Sequence, residues 1–109
     1  MKILVQSPHF RASKTLTDLV KEKVKTLEKL EDEIDRADVT LTLGRKGSNL
    51  GQTCQILLSV RGKDVFAKVN ANSFDEAVNQ CLDVVRRRLR KRKTKKMILE
   101  FKNYKYKSA

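Results

Sequence analysis

The chain has 109 residues, of which 39% are hydrophobic and 35% charged, and this is enough for one small domain with a modest core. The N-terminal segment turns polar after Val5, so no apolar run there is long enough for a signal peptide or a membrane span. We therefore expect a cytoplasmic domain that has no membrane partner.

The net charge of +12 is concentrated at one end. Residues 1–85 contain 13 Lys/Arg and 12 Asp/Glu, a balance of +1, whereas residues 86–109 contain 12 Lys/Arg and the single acid Glu100, a balance of +11. Such asymmetry predicts a polyanionic partner, nucleic acid before membrane.

The first half of the chain predicts a strand, a helix and a second strand. Residues 2–6 form a short apolar strand, and apolar residues at helical spacing follow from Leu16 to Ile34. This stripe predicts a helix that ends near residue 34. Its N-cap is Ser13 or Thr15, and Thr15 followed by Asp18 fits a capping box.

Three alternating segments then predict an antiparallel meander. They cover residues 39–43, 53–60 and 65–70, with a glycine-rich loop (GRKGSNLGQ) and the turn Arg61-Gly62-Lys63-Asp64 between them. Ser73 and Glu76 make a second capping box, and apolar residues recur at helical spacing from Phe74 to Leu89.

The predicted order is therefore β-α-β-β-β-α, an α+β fold in which both helices pack on one face of a four-stranded sheet. The first two strands are joined through a helix, which favours a parallel pair. Cys54 and Cys81 fall on apolar positions, and we interpret them as buried small hydrophobes.

The stretch RRRLRKRKTKK, residues 86–96, begins as the last core-bearing turn of the second helix. Leu89 follows Leu82 by seven residues and Val85 by four, so the helical period continues into the basic run. At this spacing four cations point away from the core and two others, Arg92 and Lys96, fall on the apolar stripe, where an unpaired charge cannot be buried. The outward set is Arg86, Arg87, Arg90 and Lys91, with Arg88 near the flank. We expect the core to end at Leu89 and the helix to overhang the sheet from Arg92.

Like charges repeat at i,i+4 in this run, as in Arg87 and Lys91, and each such pair is unfavourable by about 0.2–0.5 kcal/mol. Phosphates would supply the missing counter-charge. The alternative is a solvated, frayed basic end that acts as a nonspecific or targeting tail.

Lys23 lies within the apolar stripe of the first helix. It either extends its ammonium out of the stripe or places its charge at the rim of the groove between the helices. Two weaker features remain open: Arg45 and Lys46 in the glycine-rich loop, and the C-terminal aromatics Phe101, Tyr104 and Tyr106, which could stack on bases.

An enzyme is disfavoured because no histidine or carboxylate constellation, phosphate loop or metal-ligand cluster is visible. We predict no catalytic residues, no metal, no cofactor and no small-molecule substrate.

The sequence resembles the ribosome hibernation promoting factor family, which includes cold-shock ribosome-associated inhibitors, over residues 1 to about 96. The resemblance rests on the opening MKILVQSPHFRASKTLTDLVKEKVKTLEKL, the segment ADVTLTL, the FAKV strand and SFDEAV…LDVVRRRLRKRK. It implies a fold similar to a double-stranded RNA-binding domain, with basic helices facing small-subunit ribosomal RNA. It also implies occupancy of the decoding channel in competition with mRNA and with A- and P-site tRNA.

Carried over by position, the resemblance implies RNA contacts at Lys23, Arg87, Lys91 and Lys93; a second basic position of the family's first helix aligns with Thr26. The full set of predicted rRNA-binding residues is Lys23, Arg86, Arg87, Arg88, Arg90, Lys91 and Lys93. We expect a ribosome-binding domain at residues 1–96 and a tail at 97–109, without the separate dimerisation domain of long members. The resemblance implies a noncatalytic translation inhibitor active in stress and stationary phase; the rival is a free-standing double-stranded RNA-binding protein.

Overall fold

The computed structural model describes residues 1–8, 10–43 and 51–107, and the side chains of the last helix up to Arg92. Its elements are β1 (Lys2–Gln6), α1 (Lys14–Lys25), a 3₁₀ turn (Thr26–Lys29), β2 (Ile34–Leu43), β3 (Gln52–Val60), β4 (Val65–Ala71) and α2 (Phe74–Lys107). The predicted order β-α-β-β-β-α is confirmed.

The four strands form one mixed sheet in the order β1-β2-β3-β4. β1 runs parallel to β2, with Val5 beside Val39, and the other two pairs are antiparallel, with Val39 beside Ile56 and Ile56 beside Ala67. A row of apolar side chains therefore crosses the sheet on one face. Both predictions, the parallel first pair and the meander, are confirmed.

The core lies between that face and the two helices. Val20, Val24 and Leu27 from the first helical region pack in one cluster with Leu82 and Val85 of α2 and with the inward side chains of the sheet. The opposite face is mostly polar: Lys68 is exposed there, and Thr42 and Gln55 are half-buried. It also carries a few exposed apolar side chains such as Leu4 and Phe66. The placement of both helices on one face is confirmed.

The predicted end of the first helix is wrong. α1 ends at Lys25 and a 3₁₀ turn follows, in which the Thr26 hydroxyl donates to the Lys23 carbonyl at 2.6 Å. This side-chain bond competes with the backbone ladder of an α-helix. Ile34 starts β2 and is buried opposite Val60. Its seven-residue spacing from Leu27 fits a helical stripe, but Ile34 belongs to the strand.

The capping predictions divide in the same way. Ser13 is the N-cap of α1 and accepts from the backbone of Leu16 at 3.1 Å, whereas Thr15 lies inside the helix and forms no capping box. Leu19, expected in the apolar stripe, is 37% exposed. At α2, the Ser73 hydroxyl accepts from the backbone of Glu76 at 3.2 Å, as predicted.

Cys54 of β3 and Cys81 of α2 are both fully buried, which confirms their interpretation as small core residues. The Cys81 thiol donates to the Ala67 carbonyl at 3.5 Å. The hydrogen bond with Cys81, and then burial, raise the pKa of the Cys54 thiol. Because the thiolate is the reactive form of cysteine, this thiol is held in its unreactive form.

The helices described here include none that is long and apolar enough to cross a membrane.

Candidate nucleic-acid interface

The basic run begins inside α2, on a turn anchored in the core. Leu89 is 2% exposed and is the last buried residue of α2 among those whose side chains are described. The helical backbone continues to Lys107. The prediction that the helix enters the basic run is therefore confirmed, and the cations around Leu89 sit on a fixed backbone.

On the side of α2 that faces α1, two cations join the helices. The Lys23 ammonium is 3.2 Å from the Asp75 carboxylate and 2.8 Å from the Asn79 side-chain oxygen, both near the start of α2. Its side chain is 27% exposed. Lys23 thus lies in the groove between the helices, which agrees with the second of the two interpretations above. Its neighbours on α2 are an acid and an amide.

Arg86 makes the second contact between the helices. Its guanidinium donates to the Thr26 hydroxyl at 3.3 Å and is 3.3 Å from the Asp83 carboxylate. The residue is half-buried. The sequence placed Arg86 in the outward set, and this orientation is wrong, because the 3₁₀ turn after α1 brings the Thr26 hydroxyl to the guanidinium.

On the side of α2 that faces the sheet edge, two arginines bind backbone carbonyl groups. Arg88 donates to the carbonyl of Phe66 on the edge strand β4. Arg92 donates to the Lys63 carbonyl at 2.8 Å and to the Arg61 carbonyl, both in the turn between β3 and β4. We call Arg86, Arg88 and Arg92 the tethered arginines.

The contact of Arg92 depends on a glycine. Gly62 in the turn has φ 97°, a left-handed conformation that favours glycine. A Cβ at this position would come within 3.0 Å of the Arg92 guanidinium. The expectation that the overhang begins at Arg92 is therefore wrong, since this half-buried side chain is satisfied by the turn rather than buried in a core.

The side of α2 that faces solvent carries Arg87, Arg90 and Lys91, which are all exposed. No hydrogen bond or ion pair joins Arg87 or Lys91 to any residue within the described part of the chain. We call these two residues the outward pair. One helical turn apart on one ridge, they present two uncompensated charges about 6 Å apart along the helix.

The predicted contact residue Lys93 and the residues whose role was left open lie outside the described residues or side chains. They are Arg45 and Lys46 in the loop, Lys93, and the aromatics Phe101, Tyr104 and Tyr106. Their proposed contacts stay predictions, as does the division of the chain into a domain and a tail at residue 97. Among the residues that the structure covers, no group of three or more metal-ligating side chains comes together.

The tethers were missed by sequence reasoning. Helical periodicity places Arg92 on the apolar stripe and signals that its charge needs a partner, but it does not show which backbone oxygens are near. The glycine in the turn was the available signal, because glycine has no Cβ and lets another group approach the backbone closely.

Comparison with known families decides the relationship. The family model described as sigma 54 modulation protein / S30EA ribosomal protein matches residues 3–97. The chain belongs to this family. The predicted relationship to ribosome hibernation factors is thereby confirmed, and the match covers nearly all of the sheet, α1 and the part of α2 up to residue 97.

Two solved structures share the fold of this family member. A ribosomal subunit interface protein from Coxiella burnetii superposes with a TM-score of 0.76 at 17% identity, covering 86% of this chain and 99% of that one. The N-terminal domain of Thermus thermophilus Protein Y gives 0.72 at 18% identity, covering 84% and 98%. No curated protein gives a significant sequence match.

Proposed function

We propose that the chain is a noncatalytic inhibitor of translation that binds small-subunit ribosomal RNA in the decoding channel. There it would occlude mRNA and the A- and P-site tRNAs. Family membership over residues 3–97 supports ribosome association. The relative from Coxiella burnetii, named as a ribosomal subunit interface protein, has the same fold.

The outward pair is the observation that carries the binding mode. Arg87 and Lys91 are exposed, lie on a core-anchored helix and form no hydrogen bond or ion pair with any described residue. A guanidinium makes forked contacts with phosphate oxygens, and an ammonium acts as a point charge. Binding by this ridge would neutralise RNA phosphates without reading bases, so that the shape of the RNA cleft provides selectivity.

The remaining predicted RNA contacts divide by their protein partners. Arg90 is exposed on the same side of α2 as the outward pair. Contact of Lys93 with RNA stays a prediction from the resemblance. Lys23 and Arg86 would act mainly by joining the first helical region to α2, through the contacts of Lys23 with Asp75 and of Arg86 with Thr26. Both charges already have a carboxylate within 3.3 Å. Their remaining charge still adds to the field that attracts RNA.

Cosedimentation with purified small subunits over a salt series tests the proposal. If about six cations are engaged, log K should fall with log salt at a slope of roughly −4 to −5. Deacylated tRNA and a short mRNA should each displace the protein from the subunit. The mRNA displacement would separate channel binding from attachment elsewhere on the subunit.

The rival function is a free-standing double-stranded RNA-binding protein. It predicts that a generic RNA duplex binds as tightly as the small subunit at the same salt concentration. A filter-binding comparison of the two RNAs decides, and equal affinity would refute the ribosome-specific proposal.

A further inference from the structure

The cations on the sheet-edge side of α2 surround a shallow cavity that also reaches the β3–β4 turn. The cavity has a volume of about 370 Å³, and its polar lining residues are Lys63, Asp64, Arg88, Lys91 and Arg92. Val65 and Phe66 complete the wall. We call this region the β4-side cleft.

The charge in the β4-side cleft is not balanced by its own residues. Four cations face one carboxylate, that of Asp64. Arg88 and Arg92 are bonded to neutral carbonyl oxygens, which fix the guanidinium groups in place without cancelling their charge. Each guanidinium has five N–H donors, so donors remain for a further acceptor.

The cleft is prepared for an anion by the fold. Arg92 holds the β3–β4 turn against α2, and this turn carries Lys63. Lys63 is therefore brought next to the cations of the helix. An arrangement fixed before binding loses less conformational entropy on binding than three mobile side chains would. Its volume falls within the usual range of small-ligand sites, which suits a phosphate with its attached sugar.

The cleft is also continuous with the outward ridge. Lys91 lines it and lies one helical turn from Arg87, and Arg87, Arg88 and Lys91 together line a second surface depression. A polyanionic chain that crosses the outward pair would therefore meet the β4-side cleft next.

From this geometry we infer that the β4-side cleft binds a backbone phosphate of the ribosomal RNA, with Lys63 as an additional contact residue. This inference rests on the proposed function. It extends the RNA-binding surface from α2 onto the β3–β4 turn, where no RNA contact was predicted from the sequence. The interface is then a band that runs from one side of α2 across the helix to the hairpin.

Charge reversal at Lys63 tests the inference against a matched control. Lys63→Glu removes one cation of the cleft, whereas Lys68→Glu makes the same change in net charge at an exposed site on the far face of β4. For small-subunit binding, we expect Lys63→Glu to weaken affinity about 10-fold at low salt and to make the salt slope shallower by about 1. Lys68→Glu should leave the slope unchanged, and Lys63→Arg should retain wild-type binding.

The possible outcomes distinguish failure of the inference from failure of the proposed function. If wild-type protein binds and Lys63→Glu matches Lys68→Glu, the inference is overturned while the proposed function stands. If wild-type protein does not bind small subunits, the proposed function fails and takes the inference with it. If inorganic phosphate or a nucleoside monophosphate at millimolar concentration binds wild-type protein and not Lys63→Glu, while the two proteins bind small subunits equally well, the cleft is a free-phosphate site, and the assignment to RNA is overturned. Circular dichroism of every variant confirms that the fold is retained.

Discussion

Two sets of cations alternate along the same two turns of α2, from Arg86 to Arg92, and they differ in what holds them. The tethered arginines bond to Thr26, to the edge strand and to the β3–β4 turn. The outward pair, Arg87 and Lys91, meets no partner in the described part of the protein. A basic run in one helix thus serves two purposes: some charges fasten the helix to the domain, and others are left for a ligand.

The electrostatics of the helix explain why both sets are needed. Like charges at i,i+4 disfavour an isolated helix. The tethers offset part of that cost by bonding guanidinium groups to oxygen atoms of the fold, and Leu89 adds burial at the centre of the run. The outward pair can then remain uncompensated on an ordered backbone.

The largest expected effect is on binding through the outward pair. The double reversal Arg87→Glu/Lys91→Glu should lower small-subunit affinity about 100-fold at low salt and make the salt slope shallower by about 2, because two phosphate contacts are lost. The free energy of unfolding should not fall, since neither side chain has a partner in the described structure. Cosedimentation and urea unfolding measure the two quantities.

The matched control for this double reversal is Lys2→Glu/Lys68→Glu. Both lysines are exposed and lie on the sheet face away from the helices, and the change in net charge is the same. Equal losses of affinity in the two double variants would show that overall charge, and not the outward ridge, determines binding.

The next effect is on stability through a tethered arginine. Arg92→Ala should lower the free energy of unfolding by about 1 kcal/mol, because two backbone carbonyl groups of the turn lose their charged donor. Arg92→Lys should recover only part of this loss, since an ammonium lacks the planar fork. In urea unfolding, Arg87→Ala serves as the control and should stay within about 0.5 kcal/mol of wild type; an equal loss in Arg87→Ala would contradict the distinction between the two sets.

A smaller effect should follow from the other partner in the same contact. Gly62→Ala forces a Cβ onto a residue with φ 97° and toward the Arg92 guanidinium. We expect a loss of somewhat under 1 kcal/mol, since the left-handed conformation costs about 1–2 kcal/mol and the restricted unfolded chain returns part of it. If the new Cβ also displaces the guanidinium, the double variant Gly62→Ala/Arg92→Ala should lose less free energy of unfolding than the sum of the two single losses. A double-mutant cycle measures this difference, and additive losses would exclude the coupling.

The element order was predictable because each element carries its own period. Alternation in β2, β3 and β4 and the Ser73 cap with its helical stripe predicted the correct types, and Leu89 predicted the extent of the core. The end of α1 was not predictable from period alone. Leu27 and Ile34 are both buried, but a seven-residue interval accommodates a 3₁₀ turn and the start of a strand as well as two helical turns.

The candidate site was predictable in charge and only partly in direction. Helical periodicity correctly predicted that Arg87 and Lys91 face solvent, because their direction depends only on their angular offset from the apolar stripe. It misplaced Arg86 and Arg92, because their orientation depends on Thr26 and on the β3–β4 turn, which approach α2 only in the folded chain. Contacts between residues distant in sequence carry no periodic signal.

A density map of the protein bound to the small ribosomal subunit would show which cations of α2 contact the RNA. We expect α2 in the decoding channel, with Arg87 and Lys91 in contact with RNA phosphates while Arg86 and Arg92 keep their contacts with Thr26 and the turn. A map in which the protein lies outside the channel, or in which the outward pair faces solvent and the tethered arginines bind the RNA, would contradict this expectation.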